Sequence, residues 1–317
     1  PTYLPTPVPL RHSASAETVQ EQSSHQDPTV KAGGRTTKET VPLDIVSIPS
    51  LIDQTALSSL TQAEVDRIKE GANKLPLVGN VVGGHVVLDK IGGGAQGDVY
   101  LAKQISLGRY VAMKRLSLAN VEEGDRFFEI FRAEAQTLGK INHPNIVKVY
   151  DIFAAEQQAF FTMESIEGKT VKDLIRASGE GMALEVVANM ACQACSALSR
   201  TAEDDLVHRD IKPANMMLDQ NGSLKIVDFG LAAATANLED NIGFAGTPAY
   251  AAPEQFRAGE NLTPAVDQYA LGVTLYEALT KKNPFKGSKL ADVKEAQLNK
   301  VPDPPSTVNT DLPREVD

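Results

Sequence analysis

The stretch from Val207 to Gly230 reads VHRDIKPANMMLDQNGSLKIVDFG. Asn221-Gly222 is the strongest short turn signal in the chain, and it is flanked by apolar, strand-like runs at Met216–Leu218 and Leu224–Val227. Folding these runs into a hairpin brings Asp210, Asn215 and Asp228 to one end, with Lys212 beside them. Three hard oxygen donors next to a cation suit Mg²⁺ and phosphate.

Working outward toward the N-terminus, Gly92-Gly93-Gly94-Ala95-Gln96-Gly97 follows a strand-like run that ends at Ile91. A lone G-x-G-x-x-G is shared with dinucleotide-binding folds, where a helix follows the glycines. Here Val99–Ala102 and Tyr110–Lys114 predict two more strands, so the glycines belong to a strand–loop–strand flap whose amides can approach phosphate oxygens. Alternation puts Ala112 and Lys114 on one strand face, a small residue for a flat ring beside a cation for its phosphates. An ordinary exposed strand lysine is the plainer reading of Lys114. The spacing over Asp125–Lys140 predicts a helix whose apolar stripe (Phe127, Phe131, Leu138) also carries Glu134. A carboxylate there is costly without a cationic partner.

With these pieces in order, the chain resembles the protein kinase family, of the bacterial serine/threonine type. His208-Arg209-Asp210 through Asn215 is similar to the kinase catalytic loop, and Asp228-Phe229-Gly230 to its metal-binding triplet. Gly246-Thr247-Pro248 and Ala252-Pro253-Glu254 are similar to the substrate-positioning loop and its anchor. The resemblance covers residues 85–317 and implies an α+β, two-lobed kinase-like fold. A small antiparallel β-sheet lobe with one helix spans residues 85–163, and a larger, mainly helical lobe spans 164–317.

By that resemblance Asp210 accepts the substrate hydroxyl's proton, Lys212 neutralises the phosphoryl group in transfer, and Lys114 pairs with Glu134. Asn215 and Asp228 hold Mg²⁺, with Mn²⁺ as a substitute. ATP lies against Ile91, Gly92, Gly94, Gly97, Val99, Ala112, Lys114 and Met217, with Met163 as gatekeeper and the backbone of Glu164 to Ile166 meeting adenine. Thr247 hydrogen-bonds near Asp210 and Lys212, and Asp267 braces the catalytic-loop backbone. The implied activity is ATP-dependent phosphorylation of protein serine and threonine hydroxyls, with autophosphorylation. The alternative is a pseudokinase or scaffold that binds nucleotide and partners without turnover. A small-molecule phosphotransferase is a third reading, disfavoured by the Gly246–Glu254 segment.

Residues 1–42 are rich in Pro, Ser and Thr and poor in large apolar side chains, so they are expected to be a disordered tail. Threonines such as Thr29, Thr36, Thr37 and Thr40 make it either a solvated tail or a docking site for a phosphothreonine-reading partner. Residues 43–84 are expected to be a linker with one short helix, opened by the capping box Thr61-Gln62-Ala63-Glu64. Packing on the neighbouring lobe, binding a partner and transient helicity are all compatible with its composition. A second helix, Ala183–Arg200, is expected to bury Cys195, with Cys192-Gln193-Ala194-Cys195 as core packing rather than a redox or metal motif. Between Phe229 and Gly246, Glu239-Asp240 occupy the place of an activating phosphate opposite Arg209, or are simply solvated.

The net charge of −10 argues against a nucleic-acid binder. Two cysteines suggest a reducing compartment, and no apolar run approaches the ~18–20 residues of a membrane span. The expectation is a cytoplasmic protein with no membrane segment within these residues, a tether elsewhere being left open. The family continues through further helices after Leu312–Asp317, so a catalytic domain truncated at its C-terminal end is expected.

Overall fold

The glycine flap is the first thing the strand alternation builds. In the computed structural model, β1 (Val81–Val82), β2 (His85–Gly94), β3 (Gly97–Gln104), β4 (Arg109–Leu116), β5 (Val149–Ala155) and β6 (Gln158–Glu164) form one antiparallel sheet in the order β1-β2-β3-β4-β6-β5. The residues described are 56, 58–72, 74–75, 77–94, 97–116, 132–133, 135–155, 158–229, 246–257 and 262–317. Strands β2 and β3 close at Gly94 opposite Gly97, with a strand rather than a helix after the glycines. Gly97 has φ of 118°, and a Cβ there would lie 2.0 Å from the carbonyl oxygen of Arg115. No side chain fits at that point.

Both faces of this sheet are covered. Ala112 and Leu116 point into one apolar cluster with Met163, and Val111 and Met113 into another with Tyr100 and Phe160. The second cluster is closed by Leu77 and Val78 from the segment ahead of β1. Val86, Val87 and Leu88 are therefore all buried, although simple alternation would bury only the first and third. A register shift between Val87 and Asp89 accommodates the run.

Helix α1 (Gln62–Ala72) begins at the expected capping box. The Thr61 amide donates to Glu64 Oε2 (2.5 Å), and the Glu64 amide donates to Thr61 Oγ1 (3.4 Å). Of the three placements left open by its composition, the helix packs on the small lobe. Ile68 and Ala56 share a buried cluster with Val86 and Leu88.

The larger lobe contains β7 (Gly168–Thr170), α2 (Val171–Ala177), α3 (Leu184–Ala202), β8 (Met216–Asp219), β9 (Leu224–Ile226), α4 (Ala265–Thr280), α5 (Leu290–Asn299) and α6 (Pro305–Val308). Strands β7, β8 and β9 form a second, three-stranded antiparallel sheet. Its core gathers Met190 and Ala194 of α3, Ile211, Met216, Ile226 and Leu271 of α4. The chain is thus a two-lobed α+β fold. Residues 135–140 are helical, with Leu138 in the core; Phe127, Phe131 and Glu134 lie outside the described residues.

The expected burial of Cys195 is wrong. Helix α3 buries Val187, Met190, Ala194, Ala197, Leu198 and Thr201, and both Cys192 and Cys195 are exposed. At about 100° per residue, Cys195 sits about 110° around the helix from the centre of that stripe. The alanines at 191, 194 and 197 make two stripes look alike in the sequence, and the large Met190 decides between them.

Candidate active site

The backbone of the catalytic-type loop is fixed by one buried carboxylate. Asp267, near the start of α4, accepts the amide of His208 on Oδ2 (2.7 Å) and that of Arg209 on Oδ1 (2.8 Å). Burial pushes this carboxyl above the ordinary aspartate range; the His208 and Arg209 amides and the Arg209 charge oppose that push. His208 is buried as well. Its Nδ1 accepts the Asp210 amide (3.2 Å), so its proton sits on Nε2 and is donated to the carbonyl of Val227 (2.9 Å). The ring of Phe229 packs 4.4 Å from that imidazole. Loop and metal-type triplet are therefore tied together through one histidine. Two non-glycine residues at this junction, Arg209 (φ 67°) and Asp228 (φ 64°), adopt the left-handed conformation. Such strain persists only where surrounding contacts over-determine it.

Asp210 itself is buried and held by three neighbours. Its Oδ2 receives Lys212 Nζ (2.6 Å) and Asn215 Nδ2 (3.0 Å), and its Oδ1 receives the Thr247 hydroxyl (2.8 Å). Lys212 Nζ also donates to Thr247 Oγ1 (2.7 Å), closing a triangle of carboxylate, ammonium and hydroxyl. The expected contacts of Thr247 and the expected bracing by Asp267 are both present. Gly246 lets this approach happen: its φ is 121°, and a Cβ would lie 2.7 Å from the carbonyl of Arg209. The segment after Thr247 is held from the large lobe. Tyr250 Oη donates to Glu277 (2.6 Å); burial, with this bond assisting, pushes the phenol far above its usual range.

Lys114, 2% exposed, forms an ion pair with Asp228 Oδ2 at 2.8 Å. The expected partner Glu134 lies outside the described residues, as do Glu239 and Asp240, expected opposite Arg209. On the flap, Asp98 is clamped by Lys90 of β2 and by Arg115 of β4, each at 2.6 Å. The hydrogen bond from Lys90 holds this carboxyl below the usual aspartate range against some burial, with the Arg115 charge assisting. The clamp fixes the flap's base across three strands.

Two cavities mark the cleft between sheet and loop. One of about 460 Å³ is lined by Gly97, Val99, Lys114, Lys212, Asn215 and Asp228, all expected site residues, and also by Thr170, Ala214 and Thr247. The other, of about 760 Å³, is lined by the expected Ile91, Ile166 and Met217. Asp210, Gly92, Gly94, Ala112, Met163 and Glu164 line neither. Ala112 and Met163 face each other in the strand register and are each 5% exposed, within an apolar cluster that includes Val147 and Phe161. The Glu164 side chain turns to Lys225 (2.8 Å).

Thr170 and Asp98 are absent from the sequence expectations. Thr170 was legible as the helix cap of T-x-x-D, since its hydroxyl accepts the Asp173 amide. Asp98 carries no comparable local signal. Among the described residues no group of three or more His, Cys, Asp and Glu side chains could hold a metal. The donor set is instead Asn215 and Asp228. Asn215 commits its Nδ2 to Asp210, leaving a carbonyl oxygen, and Asp228 commits one oxygen to Lys114. A hard cation completed by phosphate oxygens fits two such donors.

Comparison with known proteins agrees with this geometry. The protein kinase domain family matches residues 85–316. The chain is 38% identical over 222 residues to serine/threonine-protein kinase PrkC of Bacillus subtilis, covering 68% of this chain and 34% of that protein. It is 36% identical over 238 residues to serine/threonine-protein kinase PknB of Mycolicibacterium smegmatis, covering 72% and 37%. With PknB of Mycobacterium leprae it shares 37% over 228 residues, covering 69% and 36%. The matched region thus spans about a third of the length of these relatives.

Proposed function

Since this chain belongs to the protein kinase family, we propose that it transfers the γ-phosphoryl group of ATP to serine and threonine hydroxyls of protein substrates, its own included. The family uses ATP and a divalent metal ion. The observation that carries the reading is the Asp210–Lys212–Thr247 triangle, whose Lys212 and Thr247 line one cavity with the Lys114–Asp228 pair. It combines a proton acceptor with cations where phosphoryl charge develops.

In the proposed step, the substrate oxygen forms a bond to the γ-phosphorus as the bond to the β-bridging oxygen breaks. The hydroxyl proton passes to the Asp210 carboxylate, and ADP leaves. Lys212 stabilises the transferring group from the loop side, and Thr247 keeps Asp210 turned toward the hydroxyl. Lys114, drawn from Asp228 toward phosphate and paired with Glu134, orients the α- and β-phosphates. Adenine stacks between Ile91, Val99 and Ala112 above and Met217 below, against Met163 and the backbone of Glu164 and Ile166. The amides of Gly92, Gly94 and Gly97 meet the phosphates. Asn215 and Asp228 would hold Mg²⁺, or Mn²⁺, which supplies charge neutralisation of the phosphate oxygens.

Several narrower proposals accompany this one. The lobes meet at 163–164, and residues 43–84 precede the small lobe as a helix-bearing linker, with 1–42 as a tail. Phosphorylated threonines in that tail recruit a phosphothreonine-reading partner. No described helix is long and apolar enough to cross a membrane; a cytoplasmic site of action rests on the need for ATP and on two unpaired, exposed thiols.

Incubating the chain with γ-labelled ATP, Mg²⁺ and a generic protein substrate, followed by phosphoamino-acid analysis, tests the reading. Label in phosphoserine and phosphothreonine is expected. Nucleotide binding with no transfer to either amino acid would overturn it.

A further inference from the structure

Helix α1 precedes residue 85, where the family match begins, yet it lines the larger cavity of the cleft. Thr61, Ala63, Glu64 and Arg67 form one side of that cavity, and Ile91, Ile166 and Met217 lie on the others. Ile91 is 54% exposed over this space.

The helix is held there by a buried node. Glu64 is 5% exposed; its Oε1 meets Lys103 Nζ (2.9 Å) and the Tyr110 hydroxyl (2.9 Å), and its Oε2 receives the Thr61 hydroxyl (2.8 Å). Lys103 donates further to the carbonyl of Ser59 (2.8 Å), fixing the turn before the helix. Val65 and Ile68 bury the adjacent face. These anchors leave Arg67 on the cavity side, exposed and without a hydrogen bond or ion pair among the described residues. A guanidinium in that position can stack on a purine or donate to ribose oxygens.

We propose that α1 is the outer wall of the adenosine half of the nucleotide site, with Arg67 as a binding residue that the kinase domain proper does not supply. The inference rests on the kinase reading above, since it presumes that adenosine lies between Ile91 and Met217. It has a reciprocal consequence. Whatever α1 contributes to nucleotide affinity, bound nucleotide contributes equally to keeping α1 docked.

The test uses the full chain and Mg²⁺·ADP. Calorimetric titration of wild type and Arg67→Ala is combined with hydrogen exchange over residues 62–72 with and without ADP. The expected result is binding weakened about 5- to 10-fold in Arg67→Ala at an unchanged unfolding midpoint, with α1 exchange slowed by ADP in the wild type. Glu64→Gln, which loosens the anchor without touching the cavity-facing guanidinium, should weaken ADP binding and abolish the slowing at 62–72. Binding by Arg67→Ala within about two-fold of wild type, or α1 exchange indifferent to ADP, overturns the proposal while the kinase reading stands. Failure of the wild type to bind ADP at all would overturn both.

Discussion

Asp267 and Glu64 are both carboxylates shut away from solvent, 2% and 5% exposed, and each fixes an element beside the cleft. They titrate in opposite directions. Burial raises both, but at Asp267 the amides and charges of His208 and Arg209 do not outweigh that cost, and its carboxyl stays above the ordinary range. Glu64 has an ammonium, a phenol and its own helix cap. Despite burial, the hydrogen bonds from Thr61, Lys103 and Tyr110 pull it down from 4.5 to about 2. The depth of burial, set against the hydrogen bonds received, decides whether a buried acid is a cost or a staple. Asp267 spends stability to hold a strained loop in a working position, whereas Glu64 stabilises a helix docked outside the family domain.

Replacing each acid by its amide should separate the two roles. Asp267→Asn keeps one acceptor but offers an N–H to the second backbone donor, so the Arg209 turn relaxes and Asp210 shifts. We expect kcat to fall about 10²-fold, the scale of a misplacement near 1 Å, with nucleotide binding retained. An unchanged kcat would show that the loop holds itself.

Glu64→Gln should act on stability. The folded-state value of about 2 lies below the unfolded 4.5, so the stabilisation is fully present above pH 4.5 and is lost as pH falls through about 2. Urea unfolding at neutral pH should show the variant about 2–3 kcal/mol less stable, with the gap narrowing in acid. A gap that is constant with pH would remove ionisation from the explanation. The smallest effect belongs to the cysteines. Cys195→Ser, on the exposed face of α3, should change unfolding free energy by less than about 0.5 kcal/mol.

The same contrast explains what could be read from the sequence. Asp210, Lys212, Asn215 and Asp228 are carried on one short hairpin, so a turn signal and two apolar runs suffice to bring them together. Gly246-Thr247 reaches the loop from 35 residues beyond Lys212, but its motif names its destination. Glu64 announces only the local half of its role. The capping box is visible, but Lys103 and Tyr110 lie 39 and 46 residues away, with nothing in their spacing to link them to a helix outside the domain. Asp98 is hidden for the same reason, since its partners lie on strands to either side. The error at Cys195 has another source: alanines spaced three apart, at 191, 194 and 197, leave periodicity without contrast, so packing around Met190 sets the buried face.

The central claim is that Asp210 accepts the proton of a protein hydroxyl during phosphoryl transfer. Its most direct test is the initial rate of label transfer from γ-labelled ATP to a protein acceptor by Asp210→Asn, at matched nucleotide occupancy. The amide keeps the size of the side chain and one acceptor oxygen, so it can still accept from Lys212, but it turns an N–H toward Thr247 and cannot take up the proton. A rate about 10²- to 10⁴-fold below wild type is expected. Transfer at the wild-type rate would contradict the account.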